Sequence, residues 1–240
     1  SPPSGVSGNS FLSVERGSSG PIVLTLGGFY DQDADGQFQR FLSDASKAIA
    51  KDPDRALILD LRGNPGGLDA FGVATIQLLA SKPFTVYEQI TATPTFDVDY
   101  VETKRLPDGT QVIMGADGQG VTPAPDVIHR GPLFVLVDQR TGSTATDVAS
   151  HLDAFEGAVI IGQETIGAYN ANSSGFLNLH TLKHSKAQLY LPQLRYITSA
   201  ASSTRRHRGV LPDVPIDLSP EDLSSGRDAV METARALANY

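Results

Sequence analysis

Two glycine-bearing turns hold the residues best placed to do chemistry. The first reads Asp60-Leu61-Arg62-Gly63-Asn64-Pro65-Gly66-Gly67. The second reads Val137-Asp138-Gln139-Arg140-Thr141-Gly142-Ser143-Thr144-Ala145-Thr146. Each follows an apolar run and precedes a helical pattern, which is where α/β sheets carry their sites. Consecutive glycines let the backbone turn sharply and present N–H groups to a ligand, although they also make an ordinary tight turn. Ser143 falls at the start of the second helix. A hydroxyl there meets the positive end of the helix dipole, and the Thr144 N–H could hold an oxyanion; the plainer role for Ser143 is an N-cap. Together the turns offer a hydroxyl, one amide beside it and a second amide from afar, the minimum set for acyl transfer.

The surrounding pattern alternates so as to position these turns. Pro21–Leu26, Ala56–Leu61, Leu133–Val137 and Ala158–Ile161 read as strands. Gly36–Ala50, Ala70–Ala80, Ser143–Phe155 and Asp228–Ala238 carry apolar residues at helical spacing. Phe176–Leu182 and Gln188–Leu191 read as paired strands, and Thr91–Asp126, with its Pro107-Asp108-Gly109-Thr110 turn, as a hairpin or loop excursion. Such alternation implies an α/β layer fold with a largely parallel sheet. Residues 1–20, rich in Ser and Gly, read as a flexible lead-in, which leaves 21–240 as one core domain. A start at Ser1-Pro2-Pro3 rather than Met reads as a piece of a longer chain.

Composition narrows the function. The chain has 240 residues, 40% of them apolar, enough for a single substantial core. A net charge of −8 without a long basic tract argues against nucleic acid as partner. No apolar run approaches the roughly 18 residues of a membrane span. The absence of Cys removes thiolate nucleophiles, disulfides and Cys-ligated metal. No His/Asp/Glu spacing suggests a metal, and no phosphate loop of the GxxxxGK[ST] type occurs, so no cofactor is expected. Asn172-Ser173-Ser174 fits a glycosylation sequon.

Four segments carry a family resemblance. Ala56–Gly67 (ALILDLRGNPGG) resembles the LxxDLRxNPGG segment of the S41 serine peptidases, which include the carboxyl-terminal processing proteases, the tricorn core and the retinoid-binding-protein repeats. Gly131–Ala149 (GPLFVLVDQRTGSTATDVA) is similar to the family's nucleophile segment, Ile161–Gly167 (IGQETIG) to its GE-x-T-x-G turn, and Arg208–Asp213 (RGVLPD) to its GVxPD signature. The segments keep the family order over residues 56–213. The resemblance implies a ClpP/crotonase-like spiral of ββα units, the S41 core, with no room for a PDZ insertion. It further implies Ser143 as nucleophile, Thr144 with Gly66 or Gly67 as oxyanion-hole amides, and polypeptide substrate docking as an added strand. A secreted or periplasmic location is implied on the same ground.

Two departures bear on activity. Thr146 stands where the family has glutamate, and Ala168 where the processing branch has its lysine base, so the stretch from Ala168 to Gly175 looks like a lysine-free branch. Tricorn-type members there use a histidine from an amino-terminal region, supported by a carboxylate near GVxPD, the place that Arg206 and His207 occupy here. The base then lies in a preceding domain, or is replaced, with His207 the candidate, or the site is inactive; a homo-oligomer is the other partner arrangement to expect. His207 lies within Arg205-Arg206-His207-Arg208, where neighbouring guanidinium groups disfavour its cationic form. The same cluster suits a substrate carboxylate, with Arg206 the leading candidate, or is simply a solvated basic loop. Glu164, beside Gln163, could hold a base or a peptide backbone, and Tyr169 and Asn170 are candidate substrate contacts. His151 lies about 12 Å along the helix from Ser143, too far to serve. The expected function is a serine peptidase; the alternatives are a non-catalytic binding module on the same scaffold and a small-ester hydrolase.

Overall fold

The computed structural model describes residues 11–31, 36–99, 101–115, 120–124, 129–202 and 208–239. In chain order the first elements are β1 (Leu12–Glu15), β2 (Ile22–Leu26), α1 (Gln37–Lys51), β3 (Leu57–Asp60), α2 (Asp69–Leu79), β4 (Tyr87–Ala92), β5 (Thr103–Arg105), β6 (Gln111–Ile113) and β7 (Leu133–Val137). They are followed by α3 (Thr144–Phe155), β8 (Val159–Gly162), β9 (Ala171–Ser174), β10 (Asn178–Thr181), β11 (Gln188–Leu191), β12 (Leu194–Thr198), β13 (Val214–Pro215), α4 (Pro220–Ser225) and α5 (Ala229–Leu237). The strands expected from apolar runs and the helices expected from periodicity are present, each within one or two residues of its expected limits.

The main sheet runs β1-β2-β3-β7-β8-β13, with β2 to β13 parallel and β1 antiparallel at the edge. Alternate residues serve its two faces. Leu57 and Leu59 of β3, and Val135 and Val137 of β7, pack under α1, α2 and α3 through Phe38, Ile49, Ile76 and Val148. Ile58, Phe134, Leu136 and Ile161 point the other way, against Val230 and Ala234 of α5. Covering both faces explains why these strands are unbroken apolar runs rather than alternating ones.

Three expectations change. The lead-in is not wholly without structure, because Leu12–Glu15 pairs along β2. Thr91–Asp126 is no isolated excursion: β5 and β6 join β4, β12 and β9 in a five-stranded antiparallel sheet, order β5-β6-β4-β12-β9. β4 and β12 alternate buried with more exposed residues, as a sheet with one covered face requires. Finally, β10 and β11 pair as expected but form a separate two-stranded ribbon.

Candidate active site

The two turns meet at the carboxyl ends of β3 and β7. Leu61 N–H donates to Leu136 O, and the Thr141 hydroxyl donates to Leu61 O at 2.9 Å. Gly63 N–H donates to Asp138 Oδ1 at 2.9 Å, and Gly142 N–H to Asn64 O at 3.0 Å. Buried Asn64 anchors its own turn, its Nδ2 donating to Leu26 O and its Oδ1 accepting from Gly66 N–H at 2.8 Å. Arg62 braces the turn from behind, with bidentate pairs to Asp60 on β3 and to Asp228 at the start of α5. Both carboxylates hold the guanidinium in its charged form, against the opposing effect of its burial.

Ser143 occupies the N-cap position of α3 with φ 48° and ψ −132°, a left-handed backbone that a serine rarely adopts. Its side chain makes no capping hydrogen bond. The hydroxyl is therefore not spent on the helix end, and the strained backbone holds its residue at a sharp strand-to-helix turn. Gly66 lies against it: a Cβ built there would sit 2.6 Å from Ser143 Cβ and 3.0 Å from Thr144 N. With φ 102° as well, only glycine fits. Among the described residues neither the Thr144 nor the Gly67 amide donates to another group, whereas the Gly66 amide is committed to Asn64. The Thr144 hydroxyl lies 2.9 Å from Gly67 O and 3.1 Å from Asp69 Oδ1, which ties the two turns together.

Behind Ser143 lies a buried polar chain that sequence reading did not single out. The Tyr87 hydroxyl donates to Asp147 Oδ2 at 3.0 Å and lies 3.4 Å from Asp69 Oδ1. Asn172 Nδ2 donates to both Asp147 oxygens. The Tyr196 hydroxyl bonds to Asp69. Burial raises the Asp147 pKa to about 7; hydrogen bonds from Tyr87 and Asn172 oppose the rise, and the charge of Asp69 adds to it. Burial and the two carboxylates push the Tyr87 phenol well above its usual value. The available signal was Asp147 itself, a carboxylate one turn from Ser143 on a helix whose other face is apolar.

The 163–170 turn closes the far side. A Cβ on Gly167 would be 3.2 Å from Ser143 N and 2.2 Å from Thr146 Oγ1, so this turn, with Ala168 next in line, abuts the serine. Glu164 accepts two hydrogen bonds from Arg208 and one from Gly209 N–H, and these pull its pKa to about 2. A carboxylate held so acidic is suited to fixing the 208–210 segment, not to taking a proton. Tyr169, expected to touch substrate, is instead 3% exposed, its ring packed in the main core cluster and its hydroxyl on Asp153 Oδ2 at 2.7 Å. Asn170 is half-buried, and its carbonyl accepts from Thr198 N–H. The Asn172 amide, committed to Asp147, is not presented as a glycosylation site.

Arg206 and His207 lie outside the described residues. Of the other histidines, His129 bonds Arg55 O, and His180 and His184 are exposed on or beside the ribbon. His151 is buried between Phe84 and Phe155, where burial lowers its pKa to about 4. Among the described residues no group of three or more His, Asp or Glu could hold a metal, and no helix is long and apolar enough to cross a membrane.

Mature CPAF superposes with a TM-score of 0.61 at 15% identity, covering 90% of this chain and 50% of CPAF. An S41 protease structure from Bacteroides fragilis, titled a putative one, gives 0.58 at 17% identity, covering 95% and 57%. A putative peptidase from Parabacteroides merdae gives 0.57 at 15%, covering 95% and 64%. These likenesses establish the fold, and the chain spans about half to two thirds of the length of these three structures. No curated protein matches the sequence. The family model of peptidase family S41 matches residues 22–216, most of the chain and both turns that meet at Ser143, and the chain belongs to that family.

Proposed function

We propose that this chain is the catalytic core of a serine peptidase acting through an acyl-enzyme on Ser143. The observation that carries the reading is the left-handed Ser143, whose hydroxyl caps nothing, beside two backbone amides that donate to nothing among the described residues. The serine oxygen attacks the scissile carbonyl carbon, and the oxyanion that forms is held by the amides of Thr144 and Gly67. Of the two glycines, Gly67 fits this role better, because the Gly66 N–H is already given to Asn64. The amine leaves with a proton and water then releases the acyl group.

The proton acceptor in this reading is a histidine, either His207, which precedes Arg208 in the sequence, or one supplied by a preceding domain. The Arg208 carbonyl accepts from Tyr169 N–H, and Gly209 and Val210 bond to the Glu164-Thr165 turn that leads to Gly167 and the serine. Polypeptide is the substrate class: β9 is an edge strand in its sheet and is tied to α3 by Asn172 and Asp147, so an extended chain can pair there.

A fluorophosphonate probe tests the reading. Wild type should be labelled on Ser143 far faster than any surface serine, and Ser143→Ala should lose both labelling and peptide hydrolysis. Labelling of Ser143 at the background rate would instead make this a binding module on a peptidase scaffold.

A further inference from the structure

The β10–β11 ribbon is the largest feature the site does not use. Every residue of both strands is exposed. Leu179 and Tyr190 pair on one face at 49% and 60% exposure; Leu189 and Leu191 lie on the other at 43% and 47%. A two-stranded ribbon with neither face covered is marginal in water, and apolar side chains bared together mark a binding surface. Its charge is equally one-sided. From Ala171 to Thr198, the ribbon and the two strands that flank it, the sequence holds Lys183, Lys186 and Arg195 and no Asp or Glu. Lys183 and Lys186 sit in the ribbon's turn, and Arg195 is exposed on β12 opposite Ser173. None of the three is in an ion pair among the described residues.

The ribbon is continuous with the site. β9 passes into β10 through Gly175 and Phe176, both left-handed, and β11 returns into β12, the neck closed by Gln193 N–H on Gly175 O. Among the described residues β9 pairs only with β12, and β10 only with β11. Their outer edges therefore run from the α3 contact at Asn172 to the basic turn.

We propose that the outer edge of β9 and β10, with the apolar and basic ribbon it leads into, is a docking arm for polypeptide substrates that combine acidic and large apolar residues. Such a chain adds as a strand, its apolar side chains covering Leu179 and Tyr190 and its carboxylates meeting Lys183, Lys186 and Arg195. The word substrate rests on the peptidase reading of Ser143; the docking does not, and is measured without turnover.

The Ser143→Ala chain is titrated with short end-blocked, fluorescein-labelled peptides, one alternating Leu with Glu and the other Leu with Lys. Anisotropy should show the Glu peptide binding about tenfold tighter at low salt, with the preference fading as salt screens it. Lys183→Glu with Lys186→Glu should cost about tenfold in affinity for the Glu peptide and leave the melting temperature unchanged. In the otherwise wild-type chain the same pair should raise KM for the Glu peptide and spare kcat. Equal binding of the two peptides, or indifference to the charge reversal, overturns the proposal. So does a peptide-free dimer on sedimentation that Leu179→Ser with Tyr190→Ser turns to monomer, since a second copy would then be the occupant. Selective binding without Ser143 labelling would sustain the arm while the peptidase reading fails.

Discussion

At the scale of single residues, Thr144 has two roles in the proposed reaction. Its amide would donate to the oxyanion, and its hydroxyl, between Gly67 O and Asp69 Oδ1, holds the two turns against each other. Thr144→Val should lower kcat about tenfold or more with KM little changed, while Thr144→Ser retains most activity. Asp147 is a separate case. Below its unfolded pKa of 3.8 the carboxyl is neutral in both states. Between 3.8 and about 7 the unfolded chain releases a proton that the folded chain keeps, so stability falls as pH rises through that window. Asp147→Asn, which retains an acceptor for Tyr87, should therefore gain stability relative to wild type from pH 4 to pH 8. The gain is roughly 4 kcal/mol at most, and urea unfolding at the two pH values measures it.

At the scale of elements, the Asp60–Gly67 turn is held by what flanks it. Arg62 joins the end of β3 to the first turn of α5 through Asp60, 4% exposed, and Asp228. Arg62→Leu leaves the buried Asp60 without its cation and frees α5 from the turn. A loss of about 3–5 kcal/mol is expected in urea, along with slower Ser143 labelling because the Gly67 amide loses its support. Asp228 should be lost less severely, since it is partly exposed and also caps α5 through Met231 N–H.

At the scale of the molecule, two sheets divide the work. The mainly parallel sheet, filled on both faces, supplies rigidity and the strand ends; the antiparallel sheet supplies Tyr87, Asn172 and Tyr196, which close over Asp147 and Asp69 from outside. The β10–β11 ribbon stands apart from both. Replacing residues 177–192 with a two-glycine link should therefore change global stability by less than about 1 kcal/mol, as closing a short loop costs little. A large loss of stability in the excised chain would mean the ribbon packs on the core.

What was legible in the sequence follows from range. Strands β2, β3, β7 and β8 are continuous apolar runs and α1 and α3 carry periodic stripes, because burial acts on neighbours one to four residues apart. The glycine turns were legible for a similar reason, since a left-handed backbone such as that of Gly66 or Gly67 selects for glycine locally. β9 and β12 were not, being short strands of mixed polarity made stable only by partners far along the chain. Nor was the choice between cap and free hydroxyl at Ser143, which depends on its φ and on Gly66 pressing against it. The sequence by itself determined the class of fold and the two turns that meet at Ser143. Only the tertiary structure decided that Glu164 and Tyr169 are spent on packing and pairing, and that Asp69, Tyr87 and Asp147 form one buried chain. Those facts arise from contacts between residues distant in sequence, where local pattern has no hold.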